Sequence, residues 1–349
     1  MKTKKLYQLG IENEFNQYSF TSKFSERSRD AKYENIGCLM TRDIKPTHDI
    51  DDADIIWFRH KPENITDVNY PEWKTILDNN SDKIILNHVE HFMNYDSKDR
   101  CYDLWKQNGL NVPDCIVVNE LSDIFNMIKK HGKICLRTNN EAGGLYLHFV
   151  DDKTDKQEIS NLYDELCAAR DRQINGTDHR EHLGGNARDA RPDTKVIAVE
   201  FLKNPDIKSL YRVIVVGEKV IGGYALTSKE DSIHWRDQKF ETIDEFIKSN
   251  IHFKELCEDD NFCKDMVKAV SCLNQNLGSV EFMIHDNKIY LIEFNSIWAG
   301  TGAFNYKDSK MKDYLINNID EFREKMWPVY DWNQFVFYKK FYEAFSQFG

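Results

Sequence analysis

The sequence predicts an α/β protein of more than one subdomain, and three patterns carry that prediction. Short apolar runs behind polar turns, at residues 54–59 and 83–87, read as buried parallel strands, with helical spacing between them at 71–77. From Cys115 onward, strand and helix signals alternate. Two stretches, 210–224 and 278–295, each read as two apolar strands around a short turn. A chain of 349 residues is long enough for two or three subdomains with a sizeable core.

Composition excludes several classes. Hydrophobic residues at 41% and aromatics at 13% describe a globular chain. A formal net charge of -11 argues against nucleic-acid partners, although a local basic groove could still hold phosphates. No apolar run approaches a membrane span, and residues 6–10 are too short and polar for a signal peptide. The eight cysteines include no C-x-x-C pair, so a zinc ribbon or thioredoxin site is not indicated. Reduced cysteines in a cytoplasmic protein are the expectation, with homo-oligomer formation left open.

In order, residues 1–90 read as a small α/β domain. Arg42, Arg59, His60 and Lys61 there could reach a substrate, or be solvated loop charges. Ser97 to Trp105 has helical spacing, ended by Gly109 and followed by Pro113. His88/His91 and His179/His182 sit at i,i+3. Neither pair is His-Glu-x-x-His, so surface or capping roles are the better expectation. A strand at 116–118, a helix at 121–130 and a strand at 133–137 lead to a glycine loop, 138–144, and a strand at 145–150. Backbone N–H groups around Gly143 and Gly144 could drape over phosphates, or form a plain hairpin loop. A helix over 156–171 precedes a polar loop, 171–193, bearing Arg172, Arg180, Arg188 and Arg191, which reads as a lid or a surface loop.

Lys195 to Leu202 reads as a strand with an acid, Glu200, near its end. In the hairpin around Gly217 and Glu218, Arg212 is an arginine on a buried strand face, which needs an anionic partner. Lys229, His234 and Arg236 follow without a secure role. One amphipathic helix is expected over 255–277, another over 307–327, and an aromatic tail over 330–348.

The stretch from Gly278 to Asn295 carries the chemistry. Each of its strands holds one acid in an apolar run, Glu281 and Glu293, and Asn295 shares a face with Glu293. Two carboxylates and a carboxamide oxygen are hard ligands of the kind magnesium takes beside phosphates. A two-residue loop at Asp286-Asn287 would leave the acids on opposite faces, so convergence requires a three-residue turn or a bulge near 286–288. The alternative is an ordinary hairpin with solvated acids.

Residues 292–296 and the following loop, 298–302, resemble the C-terminal metal-binding signature of the ATP-grasp superfamily. The similarity runs in order over about residues 90–325: a basic helix with Lys98 and Arg100, Arg137 in the place of the usual lysine, the loop at Gly143-Gly144, an adenine-side hinge near Glu200-Phe201-Leu202, the arginine hairpin and the two-acid hairpin. It implies an ATP-grasp fold with two α/β subdomains, 91–205 and 206–349, clasping ATP behind the small α/β domain at 1–90. The pattern is most similar to the glutathione-synthetase and ribosomal-protein glutamate-ligase branch. The resemblance implies ATP contacts at Lys98, Arg137, Gly143, Gly144, Glu200, Phe201, Leu202 and Asp206. It implies two magnesium ions at Glu281, Glu293 and Asn295, and Arg212 as the catalytic cation. The implied reaction joins a small-molecule or peptide carboxylate to an amine through an acyl phosphate. A kinase of the same fold, or a nucleotide-binding module without turnover, stays open beside it.

Overall fold

The computed structural model describes residues 4–9, 38–44, 50–51, 53–58, 65, 67, 69–140, 145–178, 190–202, 206–233, 238–296, 307–326, 340, 343–345 and 348. The chain divides into two compact units: 1–92 with 205–284 and 293–349, and 93–204 with 285–292.

The first unit opens on a parallel sheet of β1 (Lys4–Leu9), β2 (Cys38–Ile44), β3 (Ile55–Phe58) and β4 (Ile84–Leu86), in the order β2-β1-β3-β4. Helix α1 (Asn69–Asn79) makes the crossover between β3 and β4, as parallel pairing demands. All four residues of β3 are buried. Ile56 and Phe58 pack with Trp73 and Leu77 of α1, while Ile55 and Trp57 join a second core. That two-sided burial is why the run is apolar throughout.

The second unit begins with α2 (Met93–Asp96) and α3 (Lys98–Gln107). Gly109 follows α3 at φ +76, the left-handed conformation glycine supplies after a helix. Then come β5 (Cys115–Val117), α4 (Leu121–His131), β6 (Lys133–Thr138), β7 (His148–Asp151), α5 (Lys156–Ile174) and β8 (Val196–Glu200). The sheet is antiparallel, in the order β5-β8-β6-β7. Ile134 and Leu136 of β6 are buried under Ile124, Met127 and Ile128 of α4 and Ile159 and Leu166 of α5. Lys133, Cys135 and Arg137 alternate onto the other, half-buried face. The strand expected from 145 starts only at His148, because Tyr146 sits at φ +52, outside strand geometry.

The chain then returns to the first unit with β9 (Lys208–Val216), β10 (Lys219–Ser228), α6 (Ile243–Cys257), α7 (Asp260–Ser271), β11 (Leu277–His285) and β12 (Lys288–Asn295), of which residues 285–292 count with the second unit. The strands order as β10-β9-β11-β12. Two helices stand where one was expected over 255–277. Asp259 interrupts the run and caps α7, its carboxylate accepting from the N–H groups of Asn261 at 2.7 Å and Phe262 at 3.3 Å. On one face of the sheet Tyr211 stacks on Phe282 at 5.0 Å, with Phe253 of α6 and Phe262 of α7 against them. On the other face Ile214, Val216 and Leu277 pack with Ile55, Trp57 and Leu86 of the first sheet.

A buried carboxamide joins those two sheets. Asn87, at φ +61, donates from Nδ2 to Leu277 O at 2.7 Å and accepts from Leu277 N at 3.2 Å. The segment expected as one helix over 307–327 is α8 (Ser309–Asn317) and α9 (Ile319–Lys325), parted at Asn318. Among the described residues, no helix is long and apolar enough to cross a membrane.

Candidate active site

The two hairpins of the sheet β10-β9-β11-β12 both turn in two residues, and the first carries a register shift farther on. At Gly217-Glu218 the turn alone would set Arg212 opposite Gly223. A bulge between Val220 and Gly222 shifts the pairing by one, so Tyr224 stands opposite Arg212. Gly223 makes that approach possible, since a Cβ there would lie 1.9 Å from Arg212 O. On its other side Arg212 pairs with Glu281 of β11.

The result is a polar row across the sheet. Arg212 Nη1 donates to the Tyr224 hydroxyl at 3.2 Å, with the guanidinium 5.8 Å from the Tyr224 ring centroid. Arg212 Nη2 forms an ion pair with Glu281 Oε1. Asn295 Nδ2 reaches the same oxygen at 3.5 Å. Tyr211 and Phe282 occupy the helix-covered face, so Arg212 and Glu281, one residue along, project from the opposite one. Arg212 is 16% and Glu281 8% exposed along the side chain.

The turn at Asp286-Asn287 is not the irregular one that sequence reasoning required. Both residues sit at positive φ, +48 and +58, as a two-residue hairpin turn needs, and aspartate and asparagine tolerate it. Glu281 and Asn295 nevertheless meet, and Phe294 packs over Gly278 on the other face. The one-residue offset therefore lies within β12, after the turn. Glu293, two residues before Asn295, is half-buried.

In the second unit, the end of β6 is a buried polar hub. Asn139 donates from Nδ2 to Ser97 Oγ and Asp99 Oδ1, each at 2.9 Å, and accepts from Lys195 N at 3.0 Å. Asp99 in turn holds Lys195 Nζ at 2.6 Å. Burial alone would raise the Asp99 carboxyl, but Lys195, Asn139 and Ser97 together hold it below its ordinary range. Lys98 N donates to Asn139 O at 2.9 Å, which ties the first turn of α3 to the start of the loop after β6.

Sequence comparison finds no family model and no curated protein that matches the chain. Comparison of structures does find likenesses. One is the ATP-grasp ligase PsnB complexed with a phosphomimetic variant of minimal precursor, Mg and ADP: TM-score 0.53, 10% identity, over 90% of this chain and 98% of that one. PsnB with minimal precursor, Mg and ADP gives 0.51 at 12% identity, over 90% and 96%. PsnB with minimal precursor gives 0.52 at 11%, over 89% and 98%. The chain has the ATP-grasp fold. The α/β architecture read from the sequence is therefore the observed one.

Within the ATP-grasp fold the remaining expected residues fall as follows. Lys98 is buried in the first turn of α3. Arg137 is half-buried, its Nε donating to Thr138 O at 3.2 Å. Lys133, on the same face, lies over the Phe201 and Phe149 rings at 4.7 and 5.8 Å. Glu200 accepts from Asp114 N at 3.1 Å and lies 3.3 Å from His131 Nδ1, so its carboxylate has structural partners. Leu202 is buried and Asp206 exposed. Arg59, His60, Lys61, Gly143, Gly144, Arg180, Arg188, His179, His182, His234, Arg236 and the 298–302 loop lie outside the described residues, as does the side chain of Arg42.

The donor set of the row fits magnesium: a carboxylate and a carboxamide, with a cation already resident on Glu281 and a second carboxylate, Glu293, two residues before Asn295 in the chain. The cluster around His88 fits a metal less well. Asp78, His88 and Glu90 bring ligating atoms within 4.8 Å of one another. Lys74 already lies between the acids, 2.6 Å from Asp78 and 3.4 Å from Glu90. His88 Nδ1 accepts from Glu90 N at 3.3 Å, which leaves the ring proton on Nε2, facing Asp78.

Tyr224 and Asn139 were not legible as site residues. The cross-strand partner of Arg212 was the available signal, but a regular turn points to Gly223 and only the bulge brings Tyr224 there.

Proposed function

We propose that the protein is an ATP-dependent carboxylate–amine ligase. The reading is carried by one observation, the convergence of Arg212, Glu281 and Asn295 on one face of an ATP-grasp sheet. A substrate carboxylate oxygen attacks the γ-phosphorus of ATP, and the bond to the ADP oxygen breaks. An amine then attacks the acyl carbon of the acyl phosphate. The C–O bond to phosphate breaks, inorganic phosphate leaves, the amine nitrogen loses a proton, and an amide remains.

The chain's contribution is positioning and charge. Arg212 stabilises the negative charge of the transferring phosphoryl group and of the acyl phosphate. Glu281, Glu293 and Asn295 hold magnesium, in two ions, which supplies neutralisation of phosphate charge. Lys98, Arg137, Gly143 and Gly144 contact the phosphates. The backbone at Glu200, Phe201 and Leu202 meets the adenine edge, and Asp206 the ribose. No protein nucleophile is required, which agrees with Cys115 and Cys272, whose thiols burial pushes up to about 12 and about 11.

The substrate class is a small-molecule or peptide carboxylate, and the peptide option is supported by the precursor bound to PsnB. In subdomain terms we assign 1–90 to an N-terminal domain and 91–205 and 206–349 to the two ATP-grasp halves. The test is ADP release from ATP and magnesium with pools of peptides, amino acids and amines. Release that depends on both a carboxylate and an amine supports the ligase. Release with hydroxyl compounds alone would make it a kinase, and magnesium-dependent ATP binding with no release from any pool would make it a binding module.

A further inference from the structure

We propose that Tyr224 is a positioning residue for Arg212, an inference that rests on the ligase reading above. Tyr224 is 6% exposed and belongs to the same apolar cluster as Ile221 and Leu226 of its own strand, where phenylalanine would serve packing equally well. A buried phenol needs a hydrogen-bond partner, and here the partner is the Arg212 guanidinium at 3.2 Å. The local backbone is bent to make that contact. The bulge between Val220 and Gly222 is what turns Tyr224 onto the Arg212 face, and Gly223 permits the close strand approach.

Arg212 is thereby anchored from both sides. Nη1 is held by Tyr224 and Nη2 by Glu281. With both anchors in place the guanidinium shares its donors and does not turn its full fork onto Glu281. A bidentate grip on that carboxylate would oppose any divalent cation seeking the same oxygens. Tyr224 therefore keeps Arg212 aimed for an anion and keeps Glu281 accessible to magnesium.

The test removes the hydroxyl and keeps the ring. In Tyr224→Phe, the magnesium concentration needed for half-maximal ATP binding, read by calorimetry, rises about fivefold, the scale of one lost hydrogen bond. ATP affinity at saturating magnesium stays within about twofold of wild type, since Tyr224 meets neither phosphate nor adenine in this reading. In an Arg212→Ala background the same tyrosine change has no effect, because the competitor for Glu281 is gone. With any pool that supports ADP release, Tyr224→Phe lowers kcat and leaves the KM for ATP unchanged. Far-ultraviolet circular dichroism checks that each variant is folded. A Tyr224→Phe protein with wild-type magnesium dependence, or an effect that persists undiminished without Arg212, overturns the inference and leaves the ligase reading standing. Wild-type protein that binds no ATP at any magnesium concentration overturns both.

Discussion

The Phe294 ring lies directly over Gly278: a Cβ at position 278 would stand 2.3 Å from the ring edge and 2.9 Å from Asn295 O. That contact assigns Phe294 to the helix-covered face of the sheet, and Asn295, which meets Glu281, to the opposite one. Gly278→Ala must push both the ring and the β12 backbone. The expected cost is about 1–3 kcal/mol, the usual scale of overpacking. The same substitution should raise the magnesium needed for ATP binding, because β12 carries two of the proposed ligands. Thermal unfolding and calorimetry check the two effects. An alanine variant with unchanged stability would mean that the ring is not seated on Gly278.

The two acids of the row are expected to part company in the metal-free protein. Glu281 is paired with Arg212 in a mostly buried setting, so Glu281→Gln leaves a guanidinium without its carboxylate and should destabilise by about 1–3 kcal/mol. Glu293→Gln relieves repulsion beside Glu281 and should leave stability unchanged or raised. Both should abolish turnover, since both remove a ligand charge. Melting curves in chelator, set beside ADP release, separate the two. Equal destabilisation by both variants would sink the pairing argument.

What the sequence made legible was whatever local pattern decides. Ile55 to Phe58 is apolar on both faces because it is buried on both sides, Ile84 to Leu86 packs partly buried against the same two cores, and both read as parallel strands for that reason. Arg212 in an apolar strand called for an anion, and Glu281 is there. What the pattern hid was register. Two regular turns predict Arg212 opposite Gly223 and Glu281 opposite Ile292. A single extra residue in each second strand reverses both outcomes. Bulges leave little trace in hydrophobic periodicity, although Gly222-Gly223 marks one of them. Asn139 was hidden differently. Thr138, Asn139 and Asn140 read as a polar loop, yet all three are buried, and the side chains of Asn139 and Asn140 find partners at Ser97, Asp99 and Thr194, far away in the chain.

Arg137 and Lys133 share one face of β6, and the structure distinguishes them. The Lys133 ammonium is spread over Phe201 and Phe149, contacts that favour a fixed structural position. Arg137 stands next to the loop proposed to cover phosphates. Arg137→Ala should weaken ATP binding about tenfold or more, the scale of a lost charge-assisted hydrogen bond. Lys133→Met should change it little and cost stability instead. Isothermal titration with ATP and magnesium reads both, and a larger loss of affinity in Lys133→Met than in Arg137→Ala would reverse the assignment.

Asp99 makes the hub at Asn139 sensitive to acid. Its folded pKa lies below its ordinary value, so ionised Asp99 adds stability above the unfolded value of about 3.9. That contribution is lost as pH falls through the folded value. Lys195, the counter-ion, is 43% exposed along its side chain, so the pair is partly screened and its contribution modest. Asn at 99 keeps the shape and can still accept from Ser97 and Asn139, and it gives up only the charge. Asp99→Asn should therefore destabilise at pH 7 by about 1–2 kcal/mol, with the gap to wild type closing below about pH 4. Hydrogen exchange at the amides of Asn139 and Lys195 is the local probe, because each donates a bond inside the hub. Faster exchange in the variant at neutral pH, converging with wild type in acid after correction for intrinsic rates, is the expected result. A gap that stayed constant from pH 7 to pH 3 would show that the Asp99 charge does not hold the hub together.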